Sequence, residues 1–203
     1  MNRTVSSSEK STKTGGFSLV ELVIVVLLIA ILAMMAIPQI VASRRMARFA
    51  GVQKVLVSNL REARQLAMSE RTPVTFRYDH ATRQAIIFGG SRGVVGNAAN
   101  RVEQLDGQGL LAGEIAYGKP PGTPNSALGD GTNQTALSAS QIVDVTFQPD
   151  GAVINASENP QNVGLFFYDA TMPGRSAFAV SILGAGGRVK LWRYSQYASS
   201  YVE

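Results

Sequence analysis

GGFSLVELVIVVLLIAILAMMAIP, residues 15–38, is the stretch against which the rest of the chain has to be read. From Leu22 to Ile37 no side chain is polar. As a helix, Phe17–Ile37 covers roughly 30 Å, the thickness of a bilayer's hydrocarbon core. Residues 1–16 are polar and carry Arg3, Lys10 and Lys13 against Glu9; Pro38 and then Arg44, Arg45 and Arg48 bound the other end. Length and composition predict a membrane span. A secretory signal peptide has a shorter apolar core and a small-residue exit site, whereas here Ala36-Ile37 runs straight into Pro38. A plain N-terminal anchor fits the length but leaves Gly15-Gly16 and Glu21 without a purpose. Basic residues flank both ends, so charge asymmetry leaves the orientation open.

Glu21 lies five positions into the run. A carboxylate costs about 2.5–3.5 kcal/mol at mid-membrane and less near the interface. One reading is an interfacial acid that snorkels to the headgroups. The other supplies a cation. A cut between Gly16 and Phe17 would create an α-amine, positive below its usual pKa of about 7.7–8.0. An adjacent copy offset along the helix axis could present that amine to Glu21, making the acid an assembly device.

Gly15-Gly16-Phe17-Ser18-Leu19-Val20-Glu21-Leu22, followed by an unbroken apolar helix and Pro38, resembles the class III signal of type IV prepilins. The resemblance implies a prepilin peptidase that cleaves after Gly16 and methylates the Phe17 amine. It also implies a span retained in the mature protein, with a cytoplasmic N-terminus, a single pass through the inner membrane and a periplasmic globular domain. Glu21 occupies the family's acidic assembly position.

Composition narrows what the remainder can do. Of 203 residues, 45% are apolar and 16% charged, below the usual charged share of about 25%. That excludes a charge-rich disordered chain. With no cysteine and one histidine, His80, disulfides, thiolate chemistry and multi-histidine metal sites are excluded. No metal, cofactor or catalytic constellation is expected, and the chain reads as no enzyme.

Beyond Pro38 the helical pattern continues. Phe49, Val52, Leu56, Leu60, Ala63 and Ala67 recur at spacings of three and four, an apolar stripe between charged faces. Pro38 is expected to kink the helix, because proline removes a backbone donor and crowds the preceding turn. Seven bases against two acids between residues 44 and 71 read as a solvated or headgroup-facing surface. Pro73 ends the helix. Residues 74–78 and 84–88 alternate as a hairpin, and 142–148, 152–155, 163–168, 177–183 and 188–193 supply later ordered stretches. Residues 89–140 read as a long loop in which only 113–117 has strand character. The expected fold is α+β: a long N-terminal transmembrane and amphipathic α-helix packed on antiparallel β-sheet, one sheet or two small ones. The organisation is a leader at 1–16, a transmembrane helix at 17–37, its amphipathic continuation at 38–72 and a β-rich globular domain at 73–203.

Leu60-Arg-Glu-Ala-Arg64, Pro73-Val74, Val145-Thr-Phe-Gln-Pro-Asp-Gly151 and Gly187-Arg188-Val189-Lys190 resemble the family of H-type minor pseudopilins and FimT-like pilins. That implies a pilin-like fold and the H-type subunit of a type II secretion pseudopilus. Its partners would be other pseudopilins or pilins, the prepilin peptidase, the inner membrane and a secreted cargo. The same family includes type IV pilus minor pilins that bind DNA during uptake, so that alternative stays open. Period two places Arg188, Lys190 and Trp192 on one face of a strand, with Arg193 next, a set suited to phosphates and base stacking. Lys190 stands where the DNA-binding members carry a second arginine, which removes a bidentate contact. The competing reading is a solvated edge strand. Gly113 to Lys119 has P-loop spacing, but Pro120-Pro121 replace the hydroxyl residue and the helix that the motif needs. His80 beside Asp79 reads as a solvated turn residue, and Asp130 and Asp150 as turn formers.

Overall fold

The computed structural model describes residues 16, 18–89, 99–106, 113–155 and 157–203. The chain forms two compact units that meet between Ser43 and Arg44.

In the first unit, helix α1 (Leu19–Glu70) begins directly after Ser18, whose carbonyl accepts the Leu22 N–H at 3.1 Å. Ser18 and Glu21 hold N-cap and N3 spacing, and an acid in the first turn suits the positive end of the helix dipole. The apolar side chains here are exposed: Leu22, Ile29 and Ile37 each keep 60% of their surface. Among the described residues α1 is the one helix long and apolar enough to cross a membrane. It runs through Pro38 as a single helix.

In the second unit the same helix turns amphipathic. All six stripe residues, Phe49, Val52, Leu56, Leu60, Ala63 and Ala67, are buried. Arg71 then takes a left-handed conformation (φ 54°), and Pro73 cannot continue the helix. Nine strands follow: β1 (Val74–Asp79), β2 (Gln84–Gly89), β3 (Arg101–Gln104), β4 (Ile115–Tyr117), β5 (Ile142–Phe147), β6 (Val163–Asp169), β7 (Ala177–Leu183), β8 (Arg188–Ser195) and β9 (Ser200–Val202). They form two antiparallel sheets, ordered β3-β2-β1-β5 and β4-β6-β7-β8-β9. The β1–β2 turn is closed by Asp79, whose Oδ1 accepts the Ala81 and Thr82 N–H groups at 2.9 and 3.1 Å. Cross-strand pairs lock β1 to β5. Thr75 and Thr146 hydroxyls meet at 2.9 Å, and the Arg77 guanidinium donates two 2.7 Å bonds to Asp144.

Two strands were not expected. β3 lies inside the segment read as loop, and β9 follows the last predicted strand. Both are short edge strands of mostly exposed or half-exposed residues, Arg-Val-Glu-Gln and Ser-Tyr-Val. Backbone pairing to one neighbour holds them, and that leaves little apolar alternation in the sequence. Conversely, Ala152–Asn155 contributes two isolated bridges, Val153 to Phe147 and Ile154 to Pro160.

An aromatic cluster ties helix and sheets together. Phe49 of α1 meets Phe178 of β7 edge-on at 5.3 Å, Phe178 stacks on Phe167 of β6 at 5.3 Å, and Phe167 meets Tyr78 of β1 at 4.9 Å. Such pairs add about 0.5–1.5 kcal/mol each beyond the area they bury.

Candidate functional site

Three places bear on function, and the first is the head of α1. Gly16 is exposed, and among the described residues a Cβ there would meet nothing within 4 Å. Phe17, expected to carry the new amine, lies outside the described residues. Glu21 sits exposed in the first turn of α1. Its carboxylate is therefore available to a group from outside the chain.

The second is strand β8, where the expected cluster Arg188, Lys190, Trp192 and Arg193 divides. Arg188 and Arg193 are exposed. Lys190 is bonded to Glu203 at 2.9 Å and lies 5.4 Å from the centre of the Trp192 ring. Trp192, expected to offer its indole for stacking, is instead 6% exposed. Its Nε1–H donates to Ser181 Oγ at 2.8 Å, and that hydroxyl donates to Asp130 Oδ2 at 2.6 Å. Burial pushes the Asp130 carboxyl up, but hydrogen bonds from Ser181 and Thr132 and the nearby Lys190 outweigh it and hold it below its usual range. The indole anchors the C-terminal sheet, because a buried Trp N–H requires a partner and here finds one. Arg193 belongs to the opposite face of β8, beside Leu191 and α1.

The third is a junction of motifs far apart in sequence. Cβ atoms placed on Gly151 and Gly187 would lie 3.1 and 3.2 Å from Arg64 Nε. The Leu60–Arg64, Val145–Gly151 and Gly187–Lys190 segments thus converge on one spot. Two left-handed glycines (φ 83° and 57°) let the backbones close under the guanidinium.

Sequence reasoning missed a buried ion cluster. Arg45, read as part of a solvated face, pairs with Glu114 and reaches Asp169 through Nε at 3.2 Å. The Asp169 side chain is fully buried and accepts the Thr171 N–H and hydroxyl at 2.8 and 2.6 Å. The one available signal was an aspartate closing an otherwise apolar strand, Val163–Asp169.

The other candidates resolve into structure. Lys119 donates to Asn125 Oδ1 at 3.0 Å and the Ser126 carbonyl at 2.6 Å, so the P-loop-like spacing cradles its own loop. Asp130 and Asp150 accept backbone N–H groups two residues on, at 3.0 and 2.9 Å, as turn formers do. Among the described residues no group of three or more His, Asp and Glu side chains is placed to hold a metal ion.

His80 is half-buried, with Nδ1 2.9 Å from the Tyr78 hydroxyl. Desolvation, with help from Arg83, lowers its pKa below the ordinary 6.5. The unfolded chain then binds more protons just below pH 6.5, so stability falls as pH drops through that window. We expect acidification from about pH 7.5 to 5.5 to lower the melting temperature by on the order of 1–2 °C more in the native chain than in His80→Gln. Equal slopes for the two proteins would show that the imidazole carries none of the dependence.

Residues 11–37 match the model of the prokaryotic N-terminal methylation motif. No curated protein matches the chain in sequence. Among solved structures it is similar to the type IV minor pilin FimU of Pseudomonas aeruginosa in two crystal forms. The first has 16% identity and TM-score 0.48, covering 76% of this chain and 92% of that one. The second has 15% identity and TM-score 0.47, covering 76% and 97%. It is also similar to the minor pseudopilin EpsH of the Vibrio cholerae Type 2 Secretion System, at 12% identity and TM-score 0.43, covering 68% of this chain and 91% of that one. The chain therefore carries, on residues 11–37, the N-terminal methylation motif of type IV pilin-like proteins, at the head of a helix that continues into an α+β domain.

Proposed function

We propose that the protein is a minor pseudopilin of the H type, a structural subunit of a type II secretion pseudopilus. The observation that carries this reading is the methylation motif over residues 11–37, which runs into the apolar start of α1 and leaves Glu21 exposed in the first turn. Prepilin peptidase cleaves after Gly16 and methylates the Phe17 amine, and α1 then holds the chain in the inner membrane with its globular domain in the periplasm. On assembly, Glu21 accepts the Phe17 amine of a neighbouring subunit. That neutralises a carboxylate whose burial among apolar helices costs several kcal/mol unpaired. Pro38 gives α1 a point at which to bend as subunits pack. The reading as a DNA-capturing minor pilin is less well supported, because Trp192 is buried and Lys190 is committed to Glu203.

Intact-mass spectrometry of native membranes and of sheared filaments tests the reading. The mature chain is expected to begin at Phe17 with one added methyl group. Glu21→Ala is expected to be cleaved and methylated as the native chain is, yet to fall at least about tenfold in the filament fraction. An uncleaved chain in cells with active prepilin peptidase would overturn the proposal, as would normal incorporation of Glu21→Ala.

A further inference from the structure

Along one flank of α1, three adjoining hollows line the seam where the helix packs beside β7 and β8. The largest, about 630 Å³, lies between Arg61, Arg64, Met68 and Arg188. The next, about 520 Å³, shares Arg61 and Gln65 with it and extends past Lys54 and Val57 to Leu191 and Arg193. A third, about 190 Å³, shares Arg193 and reaches Arg175 and Met46. Together they form one groove from Met46 to Ser69, about 36 Å of helix.

Its charge is one-sided. Lys54, Arg61, Arg64, Arg175, Arg188 and Arg193 line it, and among the described residues none of the six is paired with a carboxylate. Arg64 Nε is buried without a hydrogen-bond partner. The single acid on the groove, Glu62, is bonded to Arg101 at 2.7 Å. In a chain of formal charge +5, six uncompensated cations in one channel are a marked segregation. Between them the lining carries the aliphatic side chains of Ala50, Val57, Val189, Leu191 and Met68, interspersed with the amides and hydroxyls of Gln53, Ser58, Gln65 and Ser69.

We propose that this groove docks an extended segment of a partner protein in which carboxylates alternate with aliphatic side chains. Period two would turn the aliphatic groups to the lining and the carboxylates outward. The long lysine and arginine side chains on both walls would meet them there. About 36 Å accommodates roughly 11 residues at 3.3 Å each. A nucleic acid would use the same cations but brings no aliphatic groups for the lining, and the indole that would stack its bases is buried. The assignment rests on the groove's own chemistry and is independent of filament membership.

The test uses the full chain in detergent micelles and a fluorescein-labelled peptide of about 11 alternating Glu and Leu residues. Its controls are an alternating Lys and Leu peptide and a labelled DNA duplex, all followed by anisotropy. The acidic peptide is expected to bind and the basic one not to. Arg61→Glu combined with Arg188→Glu should weaken binding at least about tenfold, by turning two attractions into repulsions. Lys54→Glu combined with Arg193→Glu, at the other end, should do the same, and whichever pair retains the native melting curve is the one read. Absence of acidic-peptide binding, indifference to both pairs, or tighter binding of DNA than of the peptide would each overturn the proposal.

Discussion

Asp169→Ala is expected to destabilise the Arg44–Glu203 unit by about 3–5 kcal/mol, the largest single loss we foresee. The fully buried side chain does two jobs at once. Its Oδ1 accepts three bonds that close the turn after β6: the Thr171 N–H at 2.8 Å, the Thr171 hydroxyl at 2.6 Å and the Met172 N–H at 3.3 Å. Its Oδ2 faces Arg45 Nε at 3.2 Å, and no hydrogen bond reaches either atom. Removing the carboxylate leaves the two Thr171 donors short of an acceptor, while the Met172 N–H keeps the Asp169 carbonyl at 3.1 Å, and it leaves half of the Arg45 cation uncompensated, each loss a desolvation penalty without return. In a unit of this size a kcal/mol corresponds to about 2–4 °C, so the melting temperature should fall by about 10 °C. Asp169→Asn separates the two jobs, since its carbonyl can still accept the turn donors while the charge is gone. It should recover about half of the loss. Equal melting of Asp169→Ala and the native chain would show that the turn and Arg45 hold without the carboxylate.

Gly187→Ala is the second large effect, and its cause is steric. Gly187 ends the β7–β8 turn with φ 57°, and a Cβ there would sit 1.8 Å from the Gly151 carbonyl oxygen. That contact is with backbone, so one of the two turns must move. The left-handed conformation adds its own cost of roughly 1–2 kcal/mol for a residue with a side chain. With strain of the overpacking kind at about 1–3 kcal/mol, the total is about 3 kcal/mol, or a fall of about 6–12 °C. Gly186→Ala, one residue earlier, meets nothing within 4 Å and should stay within about 0.5 kcal/mol of the native chain. Thermal unfolding of both variants checks the contrast. Similar losses from the two would mean that the turn resists any side chain, and the Gly151 contact would lose its meaning.

These two effects lie where the sequence is least legible. The helix was legible over its whole length, because an unbroken apolar run and a stripe at spacings of three and four are local patterns. β1, β2, β5 and β8 were legible because alternation along a short segment marks a half-buried strand, and β6 and β7 because a short apolar run bounded by turn residues marks a fully buried one. Edge strands β3 and β9 were not, since one bonded neighbour and exposed side chains leave no alternation to find. Arg45 looked like its neighbours Arg44 and Arg48 in a basic run, yet it pairs with acids 69 and 124 residues away.

The candidate site divides along the same line. Glu21 and the Gly16-Phe17 junction can be read from one contiguous segment, because membrane burial makes an acid in an apolar run conspicuous. β8 misled, because alternation assigns Trp192 to a face without saying whether Asp130 and Ser181 cover it. The Gly151–Arg64–Gly187 junction and the basic groove gather residues from α1, two turns and β8. A one-dimensional pattern reports how each segment divides its own apolar and polar faces. Which faces then meet, which charges lose their water and which cations stay unpaired depend on the packing of α1 against two sheets. That packing is set by contacts between segments up to a hundred or more residues apart, and local composition carries no record of it.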